Sequence, residues 1–256
     1  MSSTLLLLCL AALLAGFIDA VVGGGGLIQL PAMLLLLPNV PVPTVFGTGK
    51  VSSLAGTAAA LRRYLAGGLA GAVRWPVVGT LALAAGVGAL LGARAVSLLP
   101  KELVRPLVLA LLVVMAIYTL WRQDFGQLHR PRLAGRRAYV VAAGLGLSLG
   151  FYDGFFGPGT GSLLLFTFVG VFGYDFLAAS ASAKLVNVAT NLASLVYFIL
   201  SKQVLFAVAL PMAACNVLGS TLGARLAQRR GTGFVRALFL VVVSAFILKL
   251  GWEVLA

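Results

Sequence analysis

Residues 16–26 read Gly16-Phe17-Ile18-Asp19-Ala20-Val21-Val22-Gly23-Gly24-Gly25-Gly26. The stretch belongs to an apolar run, yet it holds a carboxylate and four consecutive glycines. A second copy reads Gly150-Phe151-Tyr152-Asp153-Gly154-Phe155-Phe156-Gly157-Pro158-Gly159-Thr160. Asp19 and Asp153 are 134 positions apart, and Lys50 and Lys184 keep the same spacing without a gap. The chain therefore repeats a unit that places charge and glycine among apolar residues.

The composition excludes an ordinary water-soluble domain. Of the 256 residues, 61% are hydrophobic and only 10% are charged, whereas soluble domains carry about 25% charged residues. Long apolar runs indicate an all-α polytopic membrane protein. The net charge of +13 is typical of lysines and arginines gathered in cytoplasmic loops. No basic soluble face is present, so we expect no nucleic-acid partner.

The repeat predicts two homologous halves, residues 1–121 and 138–256, separated by a cytoplasmic basic loop at 122–137. Each half begins with a segment broken at its glycines and continues with three transmembrane helices. In the first half these are the broken segment 4–37 and helices 44–66, 75–97 and 103–121. In the second half they are the broken segment 138–173 and helices 177–200, 203–226 and 233–251. The helices 75–97 and 203–226 share a Gly-x-x-x-Gly pattern at 88–92 and 219–223, which is a close-packing face between membrane helices.

The distribution of positive charge predicts how the broken segments lie in the membrane. If each dips in and returns to the same side, the loops 62–74, 122–137 and 225–236 share one side and hold twelve of the nineteen lysines and arginines. If each crosses instead, the two most basic loops face opposite sides. The positive-inside rule favours the first arrangement. We therefore expect inverted repeats with re-entrant hairpins, a recurring plan of secondary transporters whose substrate binds near the bilayer midplane.

Lys50 and Lys184 are the first candidate substrate-binding residues. A charge near the bilayer centre costs roughly 2.5–3.5 kcal/mol on insertion scales, so two lysines in register predict a function. They would attract an anion electrostatically. The alternative is that each side chain snorkels to the interface, which a position about 9 Å inside a helix allows.

Asp19 and Asp153 precede the glycine breaks by four residues and admit two interpretations. Each could be a structural counter-ion to a lysine or to backbone N–H groups. Each could instead be protonated and couple transport to protons, since burial favours the neutral form. The sequence does not separate coupling from charge balance, and a proton remains a possible coupling ion.

The glycine breaks are candidates for direct contact with an anion. Glycine lets a backbone approach a ligand closely, and the start of a short helix offers free N–H groups to an oxyanion. The alternative is tight helix packing or a hinge. The glycines concerned, with the threonine that replaces one of them, are Gly23, Gly24, Gly25, Gly26, Gly157, Gly159, Thr160 and Gly161. Polar neighbours of the lysines that could line the same cavity are Thr48, Ser52 and Asn187.

Other classes of function are poorly supported by the residues. The single histidine, His129, falls in a polar loop, and Cys9 and Cys215 form no metal-ligand spacing. A phosphate-binding loop for ATP is absent. We therefore expect neither an enzyme nor a bound metal or cofactor.

The two broken motifs, together with Gly47-Thr48-Gly49-Lys50 and Ala181-Ser182-Ala183-Lys184-Leu185-Val186-Asn187, resemble the TauE/SafE sulfite exporter family of integral membrane transporters. The resemblance covers nearly the whole chain. It implies a multi-pass protein of the bacterial inner membrane that carries small sulfur-containing anions such as sulfite, sulfonates, sulfoacetate or thiosulfate. One departure is that Pro158 and Thr160 replace glycines of the first motif, so the two breaks are unequal. Substrate, direction of transport and oligomeric state stay open, and an anion channel or a carrier of another small organic anion is the alternative.

Overall fold

The structure is a computed structural model that describes residues 2–99, 133 and 135–255, with side chains described between residues 3 and 230 of that part. All regular structure in the described ranges is helical. This confirms the all-α class. The predicted helix 103–121, His129 and most of the basic loop 122–137 lie outside the described residues.

The first half contains four helices, which we number in chain order. They are α1 (Ser2–Val22), α2 (Gly26–Leu36), α3 (Val42–Ala66) and α4 (Trp75–Leu98), with a 3₁₀ turn at Leu69–Ala72. The break between α1 and α2 falls at Gly23, whose φ of 80° is accessible to glycine at little cost. The predicted broken segment is therefore two helices joined at the glycine run.

The second half repeats this order. Its helices are α5 (Gly135–Phe155), α6 (Thr160–Phe166), α7 (Phe176–Leu200) and α8 (Phe206–Leu255), and a π-helical turn at Thr167–Val171 extends α6. Its break carries Gly157 and Gly159 at φ 91° and 82°. The bounds differ from expectation in one place. A single helix, α8, runs through the positions expected to form separate helices at 203–226 and 233–251. The expected break at 227–232 holds a single glycine, Gly231, which costs a helix only about 1 kcal/mol, and no proline.

Five helices are long and apolar enough to cross a membrane, within the part of the chain that the structure describes. They comprise α1, α4, α5, α7 and the part of α8 up to Arg230, whereas α2 and the α6 segment are shorter apolar helices. Large apolar side chains stand exposed on the bundle surface, for example Leu83, Leu200 and Leu210. Such a surface is suited to lipid tails, and the protein is a multi-pass membrane protein.

The two halves are interlocked by the last described helix of each half, α4 and α8. Helix α4 packs along α5 of the other half, and α8 packs along α1. Glycines make these contacts close: a Cβ atom built on Gly92 would lie 2.1 Å from the Phe151 carbonyl oxygen, and one on Gly223 would lie 2.4 Å from that of Phe17. The same contact thus occurs twice, with each partner displaced by one repeat. The Gly-x-x-x-Gly pattern serves as a packing face, as such patterns do between membrane helices.

Gly92→Ala tests this packing, and Gly79→Ala on the same helix is its matched control. A methyl group at Gly92 would meet backbone atoms of α5, which cannot rotate away, whereas Gly79 has nothing within 4 Å of its Cβ position. We expect Gly92→Ala to destabilise the purified protein by about 1–3 kcal/mol and Gly79→Ala to be neutral or slightly stabilising. Thermal unfolding in detergent measures both. Equal unfolding midpoints for the two variants would contradict the close contact.

Candidate functional site

Lys50 and Lys184 occupy equivalent positions in α3 and α7. Each is the ninth residue of its helix, which places it about 12 Å from the helix start. Lys50 is 8% exposed and Lys184 is 2% exposed. Neither side chain reaches an interface by snorkelling, because both ammonium groups are engaged inside the bundle.

Each lysine is paired with the aspartate of the other half. Lys50 Nζ lies 2.7 Å from Asp153 Oδ2 and also donates to the Asp153 carbonyl oxygen at 2.9 Å. Lys184 Nζ lies 2.8 Å from Asp19 Oδ2 and donates to the Asp19 carbonyl oxygen as well. The four charges cancel. Removing one member of such a buried pair would leave its partner uncompensated, at a cost of about 3–5 kcal/mol.

The two glycine breaks contact one another directly. The Ser162 N–H donates to the Gly23 carbonyl oxygen at 3.1 Å, and the Ser162 hydroxyl donates to the Val22 carbonyl oxygen at 3.1 Å. A Cβ atom on Gly23 would lie 2.3 Å from the Gly161 carbonyl carbon. The backbone of α1 and that of α6 can approach this closely only because both positions are glycine.

A cavity of about 80 Å³ lies beside this contact. It borders Lys50, both aspartates and the second glycine break. A Cβ atom on Gly157 would stand 3.6 Å from Lys50 Nζ, so the absence of a side chain there leaves space in front of the ammonium group. Such a volume holds several water molecules or one small anion.

Ten of the predicted site residues line the cavity: Lys50, Asp19, Asp153, Gly23, Gly26, Gly157, Gly159, Thr160, Gly161 and Asn187. The Asn187 side-chain oxygen is buried and has no hydrogen-bond partner among the described residues. Because buried polar atoms are usually satisfied, Asn187 is a residue whose environment is incomplete without a further group.

The remaining five predicted residues do not line this cavity. Lys184 is enclosed behind Asp19. Thr48 accepts a hydrogen bond from the Leu205 N–H at 3.0 Å and donates to the Thr44 carbonyl oxygen at 2.7 Å, which ties α3 to the start of α8. Ser52 donates to Gln29 Oε1 at 3.2 Å. The last two, Gly24 and Gly25, lie at the turn itself, Gly24 against Ser162 and Gly25 against the Ala15 carbonyl oxygen.

Polar residues that the sequence analysis missed also border the cavity. They are Gln29, Ser53, Thr57 and Asn191. Ser53 and Thr57 follow Lys50 by three and seven residues, and Asn187 and Asn191 follow Lys184 by the same intervals. These spacings place side chains on one helix face. The repeat register applied to polar residues would therefore have found three of the four, whereas Gln29 has Leu163 as its counterpart.

The two ion pairs differ in their access to the cavity. The Lys50 and Asp153 side chains are 10% and 4% exposed, whereas those of Lys184 and Asp19 are 2% and 18% exposed. The cavity thus meets the cation of one pair and the carboxylates of both. The described residues contain no group of three or more His, Cys, Asp or Glu side chains that could hold a metal ion.

Comparison with known proteins agrees with this architecture. The family described as "Sulfite exporter TauE/SafE" matches residues 8–250. The chain is 32% identical to "Probable membrane transporter protein ORF9" of Sinorhizobium sp over 95% of the chain and 90% of that protein. It is 34% identical to a "Probable membrane transporter protein" of Haemophilus influenzae, over 91% of the chain and 88% of the relative.

Escherichia coli K12 has a further relative, "Probable membrane transporter protein YfcA", which is 31% identical over 99% of the chain and 92% of its own length. No solved structure matches the chain. Because the family match spans almost all residues and relatives above 30% identity cover both chains nearly end to end, the chain belongs to the TauE/SafE sulfite exporter family of bacterial membrane transporters.

Proposed function

We propose that the protein is a secondary transporter of small sulfur-containing anions, of the sulfite, sulfonate, sulfoacetate or thiosulfate class. The observation that carries the proposal is the ammonium group of Lys50, which borders a cavity of mixed polar and apolar lining between two glycine breaks inside a membrane helix bundle. Sulfur itself rests on the family description. The charge, the enclosure and the size of the cavity support a small anion.

The anion would bind at the ammonium group of Lys50. An anion oxygen takes a place on Lys50 Nζ beside the Asp153 carboxylate, and charge-assisted hydrogen bonds of this kind are about twice as strong as neutral ones. The Gly159 N–H donates no backbone hydrogen bond among the described residues and can turn toward an anion oxygen. The side-chain amide of Asn187 lines the cavity and would donate to the anion through Nδ2, whereas the Thr160 hydroxyl already donates to the Gly157 carbonyl oxygen at 2.8 Å. The anion therefore has a cation on one side and N–H groups on the other.

Inverted repeats remain our proposal for the topology, and the helix directions support it. In the pairs Leu81–Gly146, Ala85–Gly150 and Ala89–Gly154 both numbers rise together, so α4 and α5 run parallel. Helices α1 and α8 also run parallel, since Gly219 meets the Leu13 carbonyl and Gly223 meets that of Phe17.

The two helix pairs run in opposite directions. Thr48, near the start of α3, bonds to Leu205 just before α8, and Arg63, near the end of α3, bonds to Gln228 of α8. Helix α8 thus runs parallel to α3, whereas α4 follows α3 through a short connection and returns. Helices α1 and α5 accordingly enter from opposite ends of the bundle, and the basic residues Arg62, Arg63, Arg74, Arg136 and Arg137 share the end where α5 begins.

Alternating access agrees with the unequal exposure of the two ion pairs to the cavity. In this structure Lys50 meets the cavity and Lys184 does not. Since the repeat makes the pairs equivalent in sequence, a second state in which they exchange roles would open the site to the other side. Rocking of one half against the other would interconvert the states.

An anion channel on the same scaffold is the rival function, and a carrier of another small organic anion is a second. Proteoliposome flux separates carrier from channel: a carrier saturates and follows an applied gradient of the coupled species, whereas a pore conducts without saturation. Competition by carboxylates and phosphate against sulfite and thiosulfate separates the anion classes.

Lys50→Gln, paired with Asp153→Asn, tests the binding role. The single Lys50→Gln variant leaves Asp153 buried without a partner, so we expect it to lose stability by about 3–5 kcal/mol. The double variant removes both charges and should recover stability, yet it should bind the anion roughly 10²-fold more weakly or worse. Thermal unfolding and radiolabelled sulfite flux measure the two effects.

The control for that experiment is Lys202→Gln, which removes a cation from the exposed turn between α7 and α8 and should leave flux unchanged. Wild-type flux in the double variant would remove the basis of the proposal, because the anion would then bind without Lys50.

Single cysteines at Ser3 and Arg136 test the inverted topology. Both residues are exposed, one at the start of α1 and one at the start of α5. In a background lacking Cys9 and Cys215, a membrane-impermeant maleimide should label Ser3→Cys in intact cells and Arg136→Cys only after permeabilisation, because the basic end lies inside. Labelling of both variants from the same side would contradict inversion.

A further inference from the structure

A second, smaller cavity adjoins the first at Asp19. Its volume is about 20 Å³, and it is enclosed by residues of α1, α2, α3 and α8. It is lined by Ala15, Asp19, Gly25, Gly26, Gln29, Ser53, Thr57 and Asn216. A cavity needs about 10–15 Å³ to hold one water molecule, so this one has room for a single water or a single small ion.

The side chains around this cavity present oxygen atoms. Both hydrogen bonds to the Asp19 carboxylate, from Lys184 and from Thr57 at 3.4 Å, go to Oδ2, and neither uses Oδ1. Thr57 uses its only proton in that bond and keeps its lone pairs. Ser53 contributes a second hydroxyl group. Oxygen ligands of this kind, with one carboxylate and several neutral groups, suit a hard cation.

A hydrogen-bond network orients the two amides at this cavity. Gln29 Nε2 donates to the Gly49 carbonyl oxygen at 3.1 Å, and Gln29 Oε1 accepts from Asn216 Nδ2 at 3.0 Å. Ser220 donates to Asn216 Oδ1 at 3.2 Å. Gln29 and Asn216 are each 4% exposed. Gln29 Oε1 also accepts from the Ser52 hydroxyl at 3.2 Å, so the amides are fixed in one orientation. The oxygen atoms that remain available to a cation are Asp19 Oδ1 and the hydroxyl oxygens of Ser53 and Thr57, which the amides hold in place around the cavity.

The polar network exists in one half only. The repeat register of 134 places Leu163 opposite Gln29. Between α4 and α8 the register is 131, as the Gly-x-x-x-Gly patterns at 88–92 and 219–223 show, and it places Ala85 opposite Asn216. Helix packing therefore does not require amides at these positions, because the second half packs with apolar residues there. A ligand that needs oxygen atoms accounts for the difference.

Charge balance supplies the reason for a cation. The two ion pairs sum to zero, so an anion entering the larger cavity leaves a net negative charge inside the membrane, which is unfavourable. The two cavities share Asp19, Gly26, Gln29, Ser53 and Thr57, so a cation in the smaller one would lie next to the anion. A proton would require only the carboxylate, so it would not account for the polar network around the cavity.

We propose that the smaller cavity is a sodium site and that Na⁺ binds there together with the transported anion. The joint binding rests on the proposed function, whereas binding of Na⁺ to the protein alone does not. By reciprocity, each ion raises the affinity for the other by the same factor.

Thermal unfolding of the purified protein in NaCl or choline chloride, at fixed pH and ionic strength and without any sulfur anion, tests the site. We expect NaCl to raise the unfolding midpoint by several degrees in a saturable way, because a ligand that binds only the folded form stabilises it. The variant Thr57→Val keeps the side-chain volume and removes one oxygen, and it should weaken the apparent Na⁺ affinity at least tenfold.

Three further variants sharpen this test. Asn216→Ala borders only the smaller cavity and should also lose the Na⁺ response. Thr57→Ser keeps the oxygen and should retain it. Thr80→Val makes the same atom change as Thr57→Val on the exposed face of α4 and should respond like the wild type. If Asn216→Ala fails to fold, the comparison of Thr57→Val with Thr57→Ser still decides.

Equal midpoints in NaCl and choline chloride would overturn the sodium site, as would a full Na⁺ response in both Thr57→Val and Asn216→Ala. A midpoint that depends on pH and not on Na⁺ would assign the cavity to a proton-carrying water and would also overturn it. A thiosulfate titration in each salt then tests the coupling separately: failure to bind thiosulfate and sulfite refutes the proposed function and leaves the Na⁺ result standing.

Discussion

The two ion pairs that join the halves, Lys50–Asp153 and Lys184–Asp19, are the interaction on which the rest of the structure depends. Each half brings one lysine and one aspartate into a membrane interior, where an isolated charge is costly. Lys50 is compensated by Asp153 and Lys184 by Asp19, so neither half satisfies its own charges. The pairing therefore sets which parts of the two halves meet in this conformation, inside the membrane, where water does not compensate a charge.

Glycine makes that position reachable. The lysines could not meet the ends of the broken helices unless the breaks themselves came together, and they do so through Gly23 and Gly161. Buried glycines of α4 and α8 let α4 lie against α5 and α8 lie against α1, so that each packs on the first helix of the other half. Close backbone contact, and not interdigitated bulky side chains, sets the spacing in both places.

A neutral centre has consequences for transport. Two ion pairs, each neutral by itself, leave the site without net charge. Any anion that enters makes the site negative. The site must then bind a cation, take up a proton or hold an uncompensated charge. The smaller cavity beside Asp19 is our proposed site for the cation. The unequal surroundings of the two pairs show that a repeat in sequence does not impose equal roles in one conformation.

The sequence by itself determined the membrane class, the repeat and the residues that carry charge, because composition and register are properties of the linear chain. It located the helix breaks within a few residues, since the glycine runs interrupt otherwise continuous apolar segments. It left open which aspartate meets which lysine, because a repeat makes Asp19–Lys50 and Asp19–Lys184 equally plausible.

Only the tertiary structure decided that pairing, and only it separated Ser53 and Thr57, which face the cavity, from Thr48 and Ser52, which tie α3 to α8 and α2. Neighbouring polar residues on a helix have different roles because they lie on different faces, and packing decides which face meets the cavity. For Lys50 and Thr48 that direction is fixed by contacts with the other half of the chain, more than 100 residues away.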